Sequence, residues 1–562
     1  MTITPIYTER GQVGTSESNL RELIVRIAED LKDIETFLPI QISARRKTRI
    51  RNFLESEISI LKEHSQGFWR ANQESRVDFI LIQNYMKRML ERLDFESQQD
   101  EEASVLIPFA TILVDICEAR AMVLPMKADE AGQKLFQVKT QIGEMIEKIK
   151  QAEFHVKKVT AFRAASTIDA LREHLQEWFL FYKGYDPSFN WWISSPYSLV
   201  DSGLESISNL IRERLVGIQP EDKDAIVGQP IGREGLLADL RAEMIPYTPE
   251  EIISIGEKEF DWCIMELKKA SSQMGLENNW REALEKVKND FVEPGKQTQL
   301  VKDLFHEAVA FVEKHDLVTV PPVAKDTWQM FMMSPERQKI NPFFLGGESI
   351  IVSYPTNTMD HEAKLMSMRG NNIHFSRATV FHEMIPGHHL QMHINARSNP
   401  YRRIFDTPFS VEGWALYWEF LLWNDERFPK TPENRIGMLF WRLHRCARII
   451  FSIKFHLGQM SPQECIDLLV NEVGHERATA EGEVRRSLSG EYSPLYQAGY
   501  MLGALQIYAL RKEVVDTGVM AEKMFHDKFL RSNRMPNEMM RALMLGKDLE
   551  PNYEPNWRFY EY

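Results

Sequence analysis

The sequence predicts a large, mostly α-helical protein with at most a small β-sheet, and three observations carry that expectation. From Ser16 to about Val216, apolar residues recur at three- and four-residue spacing, as in Val77-Asp-Phe-Ile-Leu-Ile-Gln-Asn-Tyr-Met-Lys-Arg-Met-Leu. Strand-like runs are scarce: Leu317-Val-Thr-Val-Pro and Ser349-Ile-Ile-Val-Ser-Tyr are the best two, and both are short. Helix starts are written plainly in the second half. In Thr248-Pro-Glu-Glu and Ser461-Pro-Gln-Glu a hydroxyl side chain can cap, proline suits the first turn, and the glutamate completes a capping box.

Taken in order, residues 1–216 read as an N-terminal helical subdomain. A connecting loop rich in Gly, Pro and charge follows over 217–235, and a second helical subdomain runs from 236 to 562. Within the latter, residues 318–372 are irregular and rich in Pro, Gly and Asn, and they lead into the densest chemistry of the chain. The 562 residues hold 43% apolar and 27% charged residues, a globular composition with ample material for a core. Lys and Arg number 68 against 81 Asp and Glu, a net charge of −13, which argues against nucleic acid or an anionic membrane as partner. Cys117, Cys263, Cys446 and Cys465 form no CxxC pair and sit among apolar residues, as reduced buried thiols do. With no export signal at the start of the sequence and no long uncharged apolar run, a cytoplasmic location is expected.

Five of the 15 histidines, at positions 374, 382, 388, 389 and 393, fall within 20 residues, where an even spread would place about 0.5. Their centre is Phe381-His-Glu-Met-Ile-Pro-Gly-His-His-Leu-Gln, which begins like the zinc-peptidase helix motif HExxH, in which two imidazoles grip the metal and the glutamate activates water. Here the position four residues after His382 is Pro386. On a regular helix His388 lies about 120° off the His382 face, and His389 returns to that face about 10 Å further along the axis. A distorted helix is therefore expected. Pro386 removes an N–H and Gly387 permits unusual angles, so that a wide turn swings His388 towards the metal. A third ligand is sought in Val411-Glu-Gly-Trp-Ala-Leu-Tyr-Trp-Glu419, whose two carboxylates share a helical face. Glu412 is the expected ligand and Glu419 an orienting neighbour of a ligand histidine.

These segments resemble the bacterial family known as domain of unknown function 885. The resemblance is carried by HEMIPGHHLQ at 382–391 and EGWALYWE at 412–419, with support from Pro230-Ile-Gly-Arg-Glu, Tyr247-Thr-Pro-Glu-Glu, Tyr500-Met-Leu-Gly and Leu510-Arg511. It implies an all-helical, metallopeptidase-like fold with a channel between two helical halves. It also implies one zinc ion per chain held by His382, His388 and Glu412, and Glu383 as general base. Where relatives commonly have an Asp-Thr-Gly-x-His segment, this chain has Ser452-Ile-Lys-Phe-His456, keeping the histidine without its Asp and Gly.

The expected activity is zinc-dependent hydrolysis of short peptides, with Tyr500 or His456 as donor to the oxyanion. His389 is placed as an outer neighbour of the ligands. Arg511, Arg445 and Arg448 are candidates for holding a peptide's terminal carboxylate. Trp191-Trp192 and Phe343-Phe344 are candidates for a channel lining. Two alternatives stand beside this reading, a metal-dependent hydrolase of non-peptide amides and a non-catalytic helical scaffold. A carboxylate di-iron site is disfavoured, because it needs two Glu-x-x-His pairs and the chain offers only Glu472-Val-Gly-His475.

Overall fold

The computed structural model describes residues 17–219, 225–338, 343–490 and 492–560. The N-terminal stretch read for an export signal and positions 220–224 of the connecting loop lie outside them. The chain is mostly helical and forms two compact units, residues 1–66 with 86–227 and residues 67–85 with 228–562. Residues 67–85, expected in the N-terminal subdomain, thus belong to the second unit. The segment buries Phe68, Val77, Phe79 and Ile82, and its Asp78 accepts hydrogen bonds from Arg402 Nε at 2.6 Å and Tyr401 Oη at 2.7 Å, partners it needs once removed from water.

The first unit is built on amphipathic helices, among them α1 (Ala128–Lys150), α2 (Lys158–Tyr182) and α3 (Pro187–Ile211). The helical spacing of Leu135, Val138, Ile142, Met145 and Ile149 turns one stripe of α1 into the core, where it meets α3. Asp186 caps α3 by accepting from the Ser188 and Phe189 amides at 2.9 and 3.2 Å, ahead of Pro187.

In the second unit, α4 (Pro249–Gln273) begins at the expected capping box, with the Thr248 amide donating to Glu251 Oε2 at 2.8 Å and the Glu251 amide to Thr248 Oγ1 at 3.2 Å. The box at Ser461 and Glu464 forms in the same way. After α5 (Gln297–Lys314), residues 317–321 do not form the expected strand. The Thr319 amide and hydroxyl are instead taken by the Asp527 carboxylate at 2.8 and 2.6 Å, leaving the segment satisfied without a sheet. The sheet has two strands, β1 (Met330–Met332) and β2 (Ile350–Val352), parallel with Met330 opposite Ile350. A loop segment bridges onto β2 through reciprocal Leu345–Ile351 amide–carbonyl bonds of 2.9 and 2.8 Å.

Six further helices surround the site: α6 (Ile373–Glu383), α7 (His388–Asn395), α8 (Pro408–Asn424), α9 (Pro432–His456), α10 (Arg477–Leu488) and α11 (Tyr496–Arg511). Helix α9 is buried along nearly its whole length and packs on α4, α6 and α11. Helix α8 is apolar almost all round and correspondingly buried. It crosses α11 backbone to backbone: a Cβ on Gly413 would stand 2.7 Å from the Gly503 Cα, and one on Gly503 would stand 2.2 Å from the Phe409 carbonyl oxygen. Among the described residues no helix is long and apolar enough to cross a membrane. All four cysteines are buried and free.

Candidate metal centre

His382 and Glu383 occupy the last turn of α6, and His388 opens α7. The expected single distorted helix is corrected here to two helices with a break. Residues 384–387 leave helical geometry, with φ −113° and ψ −115° at Met384 and φ −74° and ψ −133° at Gly387. A proline at 386 cannot donate to the helix ladder. Gly387 is forced by proximity, since a Cβ there would stand 1.8 Å from the His382 carbonyl oxygen. Trp414 of α8 fixes the break by donating from Nε1 to the Pro386 carbonyl at 2.9 Å.

The break brings the two imidazoles together. His388 Nε2 lies 3.1 Å and His382 Nε2 3.5 Å from the same oxygen, Oε2 of Glu412. All three side chains are buried, and their ligand atoms lie within 4.8 Å of one another. Two imidazole nitrogens and a carboxylate oxygen are a donor set for a divalent ion. Bonds of about 2.1 Å in a tetrahedron put its corners about 3.4 Å apart, close to the separations seen. Burial alone would lower the His382 pKa, yet its hydrogen bonds with Glu412 and Glu419 raise it to about 9. Burial would raise that of Glu412, but His388 and His382 hold it well below the carboxylate range. The pocket thus stabilises an anion at Glu412 and positive charge beside it.

Glu419, two turns further along the same face of α8, meets His382 Nδ1 at 3.0 Å and leaves Nε2 turned to the cluster. Arg445 Nη2 donates to that same Glu419 oxygen at 3.3 Å. Glu383 faces the cavity beside the cluster, pressed by the β2-flanking loop so closely that a Cβ on Gly346 would overlap its Oε2 at 2.2 Å. The cavity encloses about 310 Å³, and Phe343, Phe344, Arg448 and Tyr500 also line it. The His382 and Tyr500 rings lie nearly parallel with centroids 6.2 Å apart.

The sequence profile described as bacterial protein of unknown function (DUF885) matches residues 41–544. The chain belongs to this family. Among solved structures it is similar to "a putative lipoprotein of unknown function" from Shewanella oneidensis, at 18% identity and a TM-score of 0.67 over 94% of this chain and 99% of the other. It is also similar to a "putative lipoprotein" from Colwellia psychrerythraea, at 15% identity and a TM-score of 0.58 over 95% and 99%. At such identities the likeness shows a shared fold alone. No curated protein matches the sequence.

Other residues singled out in the sequence lie elsewhere. His456 ends α9, outside the cavity lining, where burial lowers its pKa to about 4. Arg511 ends α11, about 16 Å along the helix axis from Tyr500. It is tied to Glu522 at 2.8 Å and Asp516 at 2.9 Å. His389 turns away from the cluster, one residue being about 100° of rotation on a helix. Its nitrogens meet the carbonyls of Ala324 at 2.9 Å and Glu348 at 3.1 Å. Trp191 and Trp192 lie on α3 in the first unit, 82% and 50% exposed, and line no part of this cavity. His475 of the Glu472-x-x-His pair meets His444 Nδ1 at 2.9 Å rather than the cluster.

Sequence reasoning missed two residues. Tyr496 donates to Glu412 Oε1 at 2.5 Å, holding the carboxylate so that Oε2 faces the histidines. It precedes Tyr500 by four residues, so the helical spacing alone places both on one face of α11. Arg486 of α10 reaches the cavity beside Tyr500, with Nη2 3.4 Å from its hydroxyl. Nothing in the local sequence Val484-Arg-Arg-Ser distinguishes it from Arg485.

Proposed function

We propose that the protein is a zinc-dependent peptidase that hydrolyses short peptides. The observation that carries this reading is the convergence of His382 Nε2 and His388 Nε2 on Glu412 Oε2 with Glu383 in the adjoining cavity wall. When bound there, the ion supplies a Lewis acid and an acidified water, the chemistry zinc hydrolases share. His382, His388 and Glu412 hold it, and Glu419 and Tyr496 keep two of those ligands turned inward.

Glu383 is the proton carrier, taking a proton from the attacking water and delivering it to the leaving amine nitrogen. The Tyr500 hydroxyl is the donor to the developing oxyanion. Burial and the nearby Glu412 charge raise its pKa to about 12, so it keeps its proton at neutral pH. A cavity of about 310 Å³ suits a few residues of an extended chain rather than a folded protein.

Elemental analysis and a peptide-library digest test the proposal together. One zinc per chain, lost in His382→Ala and His388→Ala, with library cleavage abolished in Glu383→Gln while zinc is retained, is the expected result. A wild-type protein that takes up no zinc, or a Glu383→Gln variant that cleaves as well as the wild type, overturns it.

A further inference from the structure

The cavity wall carries four arginines, an exposed Arg337 and an inner group of Arg445, Arg448 and Arg486. Arg448 is matched: its Nε donates to Glu483 at 2.6 Å. Arg445, only 6% exposed, shares the Glu419 carboxylate with His382, and its Nε and Nη1 have no hydrogen-bond partner. Arg486 pairs with no carboxylate among the described residues; its Nη2 contacts the Tyr500 hydroxyl and its buried Nε has no partner. The three inner guanidinium groups therefore share Glu483 and a Glu419 already engaged by a histidine. Buried guanidinium N–H groups are costly to leave unmatched, and planar carboxylates match them best.

Resting on the peptidase reading above, we propose that these arginines form an anion subsite that grips the free C-terminal carboxylate of the substrate, making the enzyme one that trims peptides from the C-terminus. The bridge between the subsite and the metal cluster is Tyr500. Its ring lies 6.2 Å from the His382 ring and 4.4 Å from the Arg448 guanidinium carbon, so the two ends are no more than about 11 Å apart. An extended chain advances about 3.3–3.6 Å per residue, so the carboxylate sits within about three residues of the scissile bond. The reaction is plain hydrolysis: one water is consumed, the amide C–N bond breaks, and a new carboxylate and a free amine form on fragments of which the C-terminal one is at most three residues long.

The test is the zinc-loaded full chain acting on paired peptides of identical sequence, one ending in a carboxylate and the other in a carboxamide, with products read by mass spectrometry. The free acid is expected to have a kcat/KM about 100-fold higher, mostly through KM, and to release one to three residues from its C-terminus. In Arg486→Gln and Arg445→Gln the acid-to-amide ratio falls towards one, and Arg486→Lys recovers part of it. Arg511→Gln, altered outside the cavity, keeps the wild-type ratio. Equal cleavage of acid and amide by the wild type, which needs no variant to fold, overturns the subsite and leaves the peptidase reading standing. A preference that survives in folded Arg486→Gln and Arg445→Gln proteins also overturns it, and cleavage of neither peptide overturns both readings.

Discussion

An alanine at position 503 would place a methyl carbon 2.2 Å from the Phe409 carbonyl oxygen and 2.9 Å from the Gly413 Cα. Ordinary carbon contacts begin near about 3.4 Å, so α8 and α11 would have to separate by about 1 Å. No rotamer relieves the clash, because both neighbours are backbone. Overpacking of this kind costs about 1–3 kcal/mol, and the gain in helix propensity from Gly to Ala returns about 1 kcal/mol at most. With a clash at the severe end of that range, a net loss of about 2 kcal/mol is expected, seen as a fall of about 2–3 °C in melting temperature for a unit of this size. The local effect is larger. Glu412 on α8 and Tyr496 on α11 are joined by a bond of 2.5 Å that a separation of about 1 Å breaks, and zinc affinity should fall about 10–100-fold. Differential scanning fluorimetry and competition with a chromogenic chelator measure both quantities. Gly143→Ala is the control: it lies at an exposed position of α1 with no atom within 4 Å of the added carbon, and should leave stability equal or slightly higher. A Gly503→Ala protein that melts and binds zinc like the wild type would refute the argument that this crossing positions the ligand.

Glu419→Gln should weaken zinc binding about 10–100-fold without unfolding the chain, because it removes the carboxylate that orients His382; chelator competition reads it. Asp527→Ala should destabilise by about 1–3 kcal/mol in chemical denaturation, since the Thr319 amide and hydroxyl lose their acceptor. Glu483 gives an acid limb to stability. Burial would raise its pKa from 4.5, but Arg448 and Arg486 bring it down to about 2. Its contribution is therefore present above pH 4.5 and is lost as pH falls towards 2, and Glu483→Gln should flatten the pH dependence of unfolding across that window.

What was legible in the sequence followed local rules. Thr248 and Ser461 announced their helix starts because a capping box is complete within four residues. The cluster of His382, His388 and Glu412 was legible as a donor set, and its geometry was not, because a kink and a full break share the same proline signal. The strand expected at 317–321 failed through Asp527, more than 200 residues away, which takes the groups a sheet partner would have used. Segment 67–85 joins the second unit through partners equally far along the chain, Asp78 meeting Arg402. Arg486 has no local mark at all, since only the packing of α10 decides which of two consecutive arginines lines the cavity.

The break between α6 and α7 alters what counts as a spacing. On a continuous helix two side chains meet only at intervals set by the pitch, and three or four residues are the permitted values. Once the backbone leaves the helix at 384–387, the interval becomes the length of a short hinge, and six residues carry two imidazoles to one carboxylate oxygen as well as four do elsewhere. A search that counts helical turns passes over such a centre. One that asks which carboxylate two nearby imidazoles can share does not depend on the count.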